Sequence, residues 1–317
     1  MKPLKIDKKT VLVIDEASMI GTRQLDLLFK AVKKGGGKLI LAGDAAQLQS
    51  IEAGGPFSAL LKRHEPAKLT EIRRQRGTAD RKMVQDLAKG AAGTALKKIV
   101  ERGLLSIAKN RNQAIEQLVS DWAQDDASHP HRALIFCGTN KEVEILNELC
   151  QKQRLRSRQL DAEKCIRFGD GEFFVGDRVR MTENSRPIGV ENGDLGTISR
   201  KGAVRNTITV VMDDGRTVVI PLSSYPHIRL GYAVTTHSGQ GTTVENAYAL
   251  VGGFMQHRQL SYTQASRAKG RTRYYTDEHE AGAKLANLAR QMRESREKSL
   301  AIDLASQQQE ADLEMER

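Results

Sequence analysis

The chain has 317 residues, enough for two domains of ordinary size, each with a sizeable core. Fifty Lys and Arg against 39 Asp and Glu leave a net charge of +11 and a pI near 9.6. This balance favours a polyanionic partner such as nucleic acid, although a solubilising basic surface gives the same numbers. Cys137, Cys150 and Cys165 are widely spaced, with no CxxC pair and no His at zinc spacing, which excludes a disulfide framework and reads as reduced thiols. No apolar run is long enough to span a membrane, and MKPLKIDKK lacks the apolar core of a signal peptide, so a cytoplasmic protein with no membrane segment is expected.

In chain order, the first informative stretch is VLVIDEASMI from residue 11. Four apolar residues running into Asp15 and Glu16 predict a buried parallel strand that delivers two carboxylates to the carboxyl edge of a sheet, where a nucleotide is bound. In a phosphate-hydrolysing site the first acid holds Mg²⁺ and the second orients or deprotonates the attacking water; a strand ending in two solvated acids is the plainer alternative. Thr22 is placed to cap a helix with Leu25, Leu27, Leu28, Phe29 and Val32 crowding one side, and Gly35, Gly36 and Gly37 stop it. Residues 38–42, KLILA, predict a second strand ending in Gly43 and Asp44 on the same edge. In the following loop Gln47 can donate to a phosphate and accept from water or a neighbour.

VLVIDEASMI followed by LAGDAAQLQSIEAGGPF resembles motifs II and III of superfamily 1 helicases, the RecD-like branch in particular. The resemblance implies that Asp15 and Glu16 are the Walker B pair and that Gln47 couples the γ-phosphate to the DNA-binding surface. Pro56 suits the start of a short helix, FSALLKRH, and KLTEIRRQ reads as a strand with a basic end. That segment resembles motif IV, which gives Arg74, rather than Arg73, the phosphate-contacting role; by composition alone both arginines read as solvated. Residues 78–124 have helical periodicity, with LLSIAK as a strand between helices, and DDASHPH marks a boundary.

ALIFCGTN opens a second α/β unit whose Thr139 and Asn140 front the helix KEVEILNELC. In the family this Thr-Asn pair lies near the DNA backbone, and Thr139 serves equally as a helix cap. Residues 161–227 hold short β-rich runs between Gly, Asp and Asn turns, a small β-barrel that resembles the Src-homology-3-like insertion of RecD-like helicases. Aromatic residues make up only 4% of the chain, so Arg178, Arg180 and Arg186 are expected to act on phosphates, with exposed strand charges as the alternative.

IRLGYAVTTHSGQGTTVENAYALV resembles motif V, which connects the DNA groove with the ATP cleft. Thr236, His237 and Ser238 are expected at nucleic acid or phosphates, Gly239 and Gly241 allow close backbone approach, and Gln240 is expected with Gly241 at the nucleotide. RQLSYTQASRAKGRTRYY resembles motif VI, which makes Arg267 the arginine finger, supported by Tyr262 and Lys269. The tail after Asp277 fits a long polar helix, partly disordered.

A P-loop needs GxxxxGK followed by Ser or Thr, and the only Gly-Lys step, in GGGKLIL, opens a strand instead of a helix. The resemblance thus covers about residues 11–275 and begins inside the first motor domain, closest in flavour to the helicase portion of conjugative relaxases, whose nicking Tyr and His cluster would lie upstream.

The fold expected is α/β, a RecA-like P-loop NTPase motor. Residues 1–76 are the end of a first RecA-like domain, 77–127 a helical connection, 128–160 and 228–277 a second RecA-like domain, 161–227 the inserted barrel, and 278–317 a helical tail. The function implied is a 5′ to 3′ ATP-dependent translocase in conjugative DNA transfer, with ATP and Mg²⁺ as cofactors, single-stranded DNA as partner and an upstream segment of a longer parent chain completing it. The alternative is a nucleotide-incompetent remnant that binds single strands or docks a partner.

Overall fold

The structure is a computed structural model that describes residues 5–50, 52, 54–69, 71–169, 171–202 and 206–298. The remaining residues, 299–317 of the tail among them, lie outside it.

The first unit comprises β1 (Val11–Ile14), a 3₁₀ turn (Ala17–Met19), α1 (Thr22–Gly35), β2 (Lys38–Leu41) and α2 (Pro56–Arg63), with Pro56 opening α2. β1 and β2 pair in parallel, Val11 opposite Lys38 and Ile14 opposite Leu41. The loops after both strands therefore emerge side by side, tied by the Ala17 amide donating to the Ala42 carbonyl at 2.8 Å. The strands are parallel as expected but not buried: Val11, Val13 and Ile40 are 52, 60 and 51% exposed. Alternate side chains of a strand face opposite ways, and α1 covers only one face of this two-stranded sheet. α1 starts at Thr22 with Gly21 in the N-cap position and ends at Gly36, whose φ of 70° closes the last turn. Its apolar side chains do not all share one covered side, since Leu25 and Val32 are buried whereas Leu27 and Phe29 are exposed.

Residues 71–77, most of the expected strand and its exit, form no strand. They lie along the start of a later strand and are fixed mainly by side chains, the Gln75 amide donating to the Ser266 and Ala268 carbonyls at 3.1 and 2.9 Å, plus one backbone bond from Arg76 to Lys269 at 3.0 Å. α3 (Thr78–Ala88), α4 (Ala92–Glu101), β3 (Leu105–Ala108) and α5 (Arg111–Asp125) follow, then β4 (Ala133–Cys137) and α6 (Asn140–Arg156).

The insertion contains β5 (Cys165–Phe168), β6 (Gly171–Phe174), β7 (Arg178–Met181), β8 (Leu195–Lys201), β9 (Thr207–Met212), β10 (Thr217–Pro221) and β11 (Ile228–Leu230). β5 and β6 pair as a hairpin, and the rest form an antiparallel sheet of order β10-β9-β8-β7-β11 around its own apolar core. The chain then returns through β12 (Ala233–Thr235), β13 (Val244–Leu250), α7 (Arg258–Ala265), β14 (Ala268–Asp277), α8 (Glu278–Ala281) and α9 (Ala286–Arg293).

The second sheet has the order β12-β4-β13-β14-β3, and every pairing in it is parallel. β4, buried along its whole length, is next to the centre. β3 and α5, from the stretch read as a helical connection, belong to this sheet and its core. α3 and α4 instead pack with α7 and α9 through Met83, Leu87, Leu96, Leu288 and Met292. The tail beyond Asp277 is not one long helix. It breaks at Gly282, Lys284 and Leu285, all with positive φ, so that Leu288 and Met292 can enter that core.

Arg178 does not face a phosphate. It is 1% exposed and its guanidinium makes two 2.6 Å bonds to the Asp213 carboxylate inside the β insertion. A second polar knot joins the insertion to the parallel sheet. Asp177, fully buried, accepts from the Tyr232 hydroxyl at 2.6 Å, from Gln151 at 2.7 Å and from the Phe174 amide at 2.7 Å, while Arg154 donates to Tyr232 and to the Gly176 carbonyl. Burial pushes the Asp177 carboxyl above its ordinary value against these hydrogen bonds. Removing the common acceptor strands two buried donors, the Tyr232 hydroxyl and the Phe174 amide, so Asp177→Ala is expected to lower the unfolding free energy by about 3 kcal/mol or more in urea titration, with Tyr232→Phe costing about 1–3 kcal/mol.

Candidate functional site

The parallel pairing of β1 and β2 puts Asp15, Glu16 and the residue 43–50 loop at one edge of the first unit. Glu16 is in the left-handed region at φ 50° and ψ 40°, an uncommon state for a residue with a side chain. The exposed Asp15 carboxylate accepts its amide at 2.8 Å. Asp44, placed at this edge by the sequence but given no role there, organises the loop. It accepts from the Ala46 amide at 2.9 Å, from the Gln47 side chain at 3.2 Å and from the Tyr262 hydroxyl, which reaches it from α7 at 2.7 Å.

Arg267, at the junction of α7 and β14, is fully buried and points at this loop. Its Nε donates to the Thr263 carbonyl at 2.9 Å, and its Nη2 donates to Ser266 Oγ at 2.7 Å and to Gln47 Oε1 at 3.1 Å. Nη1 is buried without a hydrogen-bond partner. Burial first, then the neighbouring Arg74 cation, push the guanidinium down to about 10, while Glu16 opposes the shift. Arg74 donates to the Ser266 carbonyl at 2.9 Å, so two cations stand together facing the Glu16 and Asp44 carboxylates. Gln240 comes within 3.5 Å of Gln47 Oε1, and its own buried Oε1 lacks a partner. Arg267 and Gln240 thus leave one donor and one acceptor unsatisfied at the cleft, and the unpaired guanidinium donor beside Arg74 suits an anion such as a nucleotide phosphate. No cluster of three metal-ligating side chains exists among the described residues, so a cation at Asp15 would need phosphate and water oxygens to complete its shell.

The stretch from Thr236 to Thr243 connects this cleft with the opposite edge of the second sheet. It leaves β12 at its carboxyl end, crosses the sheet face and enters β13 at its amino end. Gly239 lies so close to the face that a Cβ would stand 2.6 Å from Phe136 and 2.8 Å from Val234. The buried Thr236 donates to the Cys137 carbonyl and accepts from Gln264, so it is a structural tie. Ser238 closes the turn against Thr235 at 2.9 Å. His237 is partly buried, and burial followed by the Lys298 charge lowers its pKa, so the ring is neutral at pH 7. Gly241 takes φ 83° with open space at its Cβ position.

Gln47, Gln240, Arg74 and Arg267 therefore meet around Asp44 and Glu16, whereas Thr139, Asn140 and Arg180 lie elsewhere. The Thr139 hydroxyl is engaged in a capping box with Glu142. Asn140 and Arg180 border a groove of about 810 Å³ between α6 and the insertion. Glu144, Glu148 and Glu172 outnumber Arg180 and Arg229 on its walls, which gives phosphates no net attraction. Gln75 and Ser266, missed from sequence, hold Arg74 and Arg267 in place; the signal was their position next to those arginines in RRQ and SRA.

His257, the N-cap of α7, is buried; burial, only partly offset by Gln259 and reinforced by the charges of Arg296 and His237, pushes it to about 4 from 6.5. A base that resists protonation when folded adds stability above its unfolded pKa and loses it as pH falls toward 4. The melting temperature is expected to drop between pH 7 and pH 4, and calorimetry of His257→Gln should show a smaller drop.

A family model described as an AAA domain matches residues 2–110. The conjugal transfer protein TraA of Agrobacterium fabrum is 33% identical over 267 residues, 83% of this chain and 24% of the relative. The ATP-dependent RecD2 DNA helicase of Deinococcus radiodurans is 27% identical over 272 residues, 82% of this chain and 35% of the relative. The chain thus spans about a quarter of the TraA relative. Among solved structures, Pif1 helicase from Candida albicans superposes with a TM-score of 0.58 at 17% identity, covering 95% of this chain and 76% of that one. Bacteroides Pif1 bound to single-stranded DNA gives 0.56 at 17% identity, covering 96% and 76%. At these identities the structural likeness concerns the fold.

Proposed function

We propose that the chain, which is similar to TraA and RecD2 over more than four fifths of its length, is part of the motor of a RecD-like superfamily 1 helicase for conjugal transfer that hydrolyses Mg-ATP and moves 5′ to 3′ on single-stranded DNA. The observation that carries this reading is the buried Arg267 guanidinium, supplied by the second α/β unit and bonded to Gln47 of the first at 3.1 Å with one donor left over. Bound Mg-ATP would supply the transferable phosphoryl group and the divalent cation.

The chain's own residues would then divide the work. Asp15 would hold the cation, and Glu16 would orient the attacking water. The free Nη1 of Arg267, with Arg74 beside it, meets charge developing on the phosphoryl oxygens. Gln47 bonds both Arg267 and Gln240, so a change at the phosphate alters two contacts between the first unit and the second. From Gln240 the change passes along the crossing loop to His237, which we assign to the nucleic-acid edge. The apolar face of Val11, Val13 and Ile40 is where a P-loop-bearing strand and helix of a longer polypeptide would pack.

In such a parent chain, Arg267→Ala and Glu16→Gln are each expected to lower DNA-stimulated ATPase by about 10³-fold or more while leaving nucleotide-free DNA affinity within about twofold. Normal turnover in either variant would remove that residue from the site. The absence of any GxxxxGK sequence in the 317 residues favours a second reading for this chain by itself, a single-strand-binding or docking module without hydrolysis. For the chain alone, phosphate-release assays are expected to show negligible ATPase that Glu16→Gln does not change. Its affinity for single strands should fall with salt, by a slope of about 0.7 in log K per phosphate contact.

A further inference from the structure

The turn between β13 and α7 presents an aromatic ring to solvent and holds it there. Gly252 and Gly253 take consecutive left-handed conformations at φ 94° and 87°, and a Cβ on Gly252 would stand 2.7 Å from that of Glu280. The Gly252 amide donates to Gln256 at 3.1 Å, the Gly253 amide to Glu280 at 2.7 Å, and the Gln256 amide to the Gly253 carbonyl at 2.9 Å. Gln256 is itself buried and anchored to Ser261 at 2.6 Å. On this pinned turn Phe254 is 74% exposed, where Phe29, the other exposed phenylalanine among the described residues, is 43% exposed. A ring left in water gains nothing from folding, and the bonds of this turn fix the backbone that carries it.

The surroundings specify which ligand. The turn stands at the carboxyl end of β13 in a parallel sheet, the edge where such sheets bind their ligands. Met255 packs on Gly138 at the end of β4, next to Asn140. The exposed Arg296 donates from its guanidinium to the Phe254 carbonyl and is itself positioned by its amide on Gln259 at 3.2 Å. A flat apolar ring with a fixed cation beside it matches a base and its phosphate, whereas a protein anchor would need an apolar surround that this turn of glycines and polar bonds does not offer.

We propose that Phe254 is a stacking platform for an unpaired base of single-stranded nucleic acid, with Arg296 holding the adjoining phosphate. This rests on the nucleic-acid reading above. The test uses the full chain and oligothymidylate carrying 2-aminopurine at successive positions, with affinity read by anisotropy and stacking by fluorescence quenching. Phe254→Ala and Phe254→Leu are expected to weaken binding about tenfold and abolish the quench without changing the salt slope, while Phe254→Trp keeps both. Arg296→Gln is expected to reduce the salt slope by about 0.7. Because the ring is exposed, the Ala variant should melt like the parent; should it unfold, the comparison of Leu with Trp decides. Unchanged affinity in the Ala variant, or full recovery with Leu, overturns the stack and leaves the motor reading standing. Failure of the unmodified chain to bind the oligonucleotide at any salt overturns both.

Discussion

Burying the Arg267 guanidinium is the constraint on which the arrangement of the site depends. A charged group taken out of water must be hydrogen-bonded, and the chain meets that requirement with acceptors from both α/β units: the Thr263 carbonyl and Ser266 hydroxyl from the second, and the Gln47 side chain from the first. Gln47 is in turn tied to Asp44, and Asp44 to Tyr262, so the contact between units is a closed polar circuit. With one Arg267 donor left over and Arg74 close by, the circuit is poised for an anion instead of being satisfied within itself. A closed circuit of this kind can respond as one when a phosphate arrives or leaves.

The first unit leans heavily on such cross-ties because its own packing is thin. One face of its two-stranded sheet is in water, and its buried apolar residues, Leu25, Val32, Leu48 and Phe57 among them, are few beside the clusters of the second sheet. Contacts from the second unit compensate. Gln75 and Arg76 bind along the start of β14, Arg76 pairs with Glu245 through bonds of 2.6 and 2.8 Å, and Lys298, beyond α9, donates to Gln49 and to the Ser50 and Glu52 carbonyls. The element read as a polar tail is thereby a strap between units, and its break at Gly282 and Leu285 is what turns Leu288 and Met292 inward.

The arginines of the insertion show why a basic residue near a nucleic-acid motif carries little information by itself. Arg178 and Arg180 lie two apart on β7, and side chains two apart in a strand share a face. Yet Arg178 finds Asp213 and is sealed inside, while Arg180, with Nη2 3.3 Å from Asn192, borders a groove richer in carboxylates. Neither fate is visible in RVRM, because each depends on a residue brought across the sheet from elsewhere in the chain.

The resemblance to helicase motifs singled out Gln47, Gln240 and Arg267, and the sequence by itself determined the strands that end in DE and GD, the helix opened by Pro56, the cap at Thr139 and the α/β order of the second unit. These are properties of short stretches, set by periodicity, by turn chemistry and by side-chain type at fixed spacing. Only the tertiary structure decided that Asp44, Gln75 and Ser266 hold that group together, that β3 and α5 belong to the second sheet, that 71–77 is no strand, that Arg178 is structural and that Phe254 stands in water. Those facts rest on contacts between residues up to some 220 positions apart and on which face of each element finds a neighbour, and no local pattern encodes either.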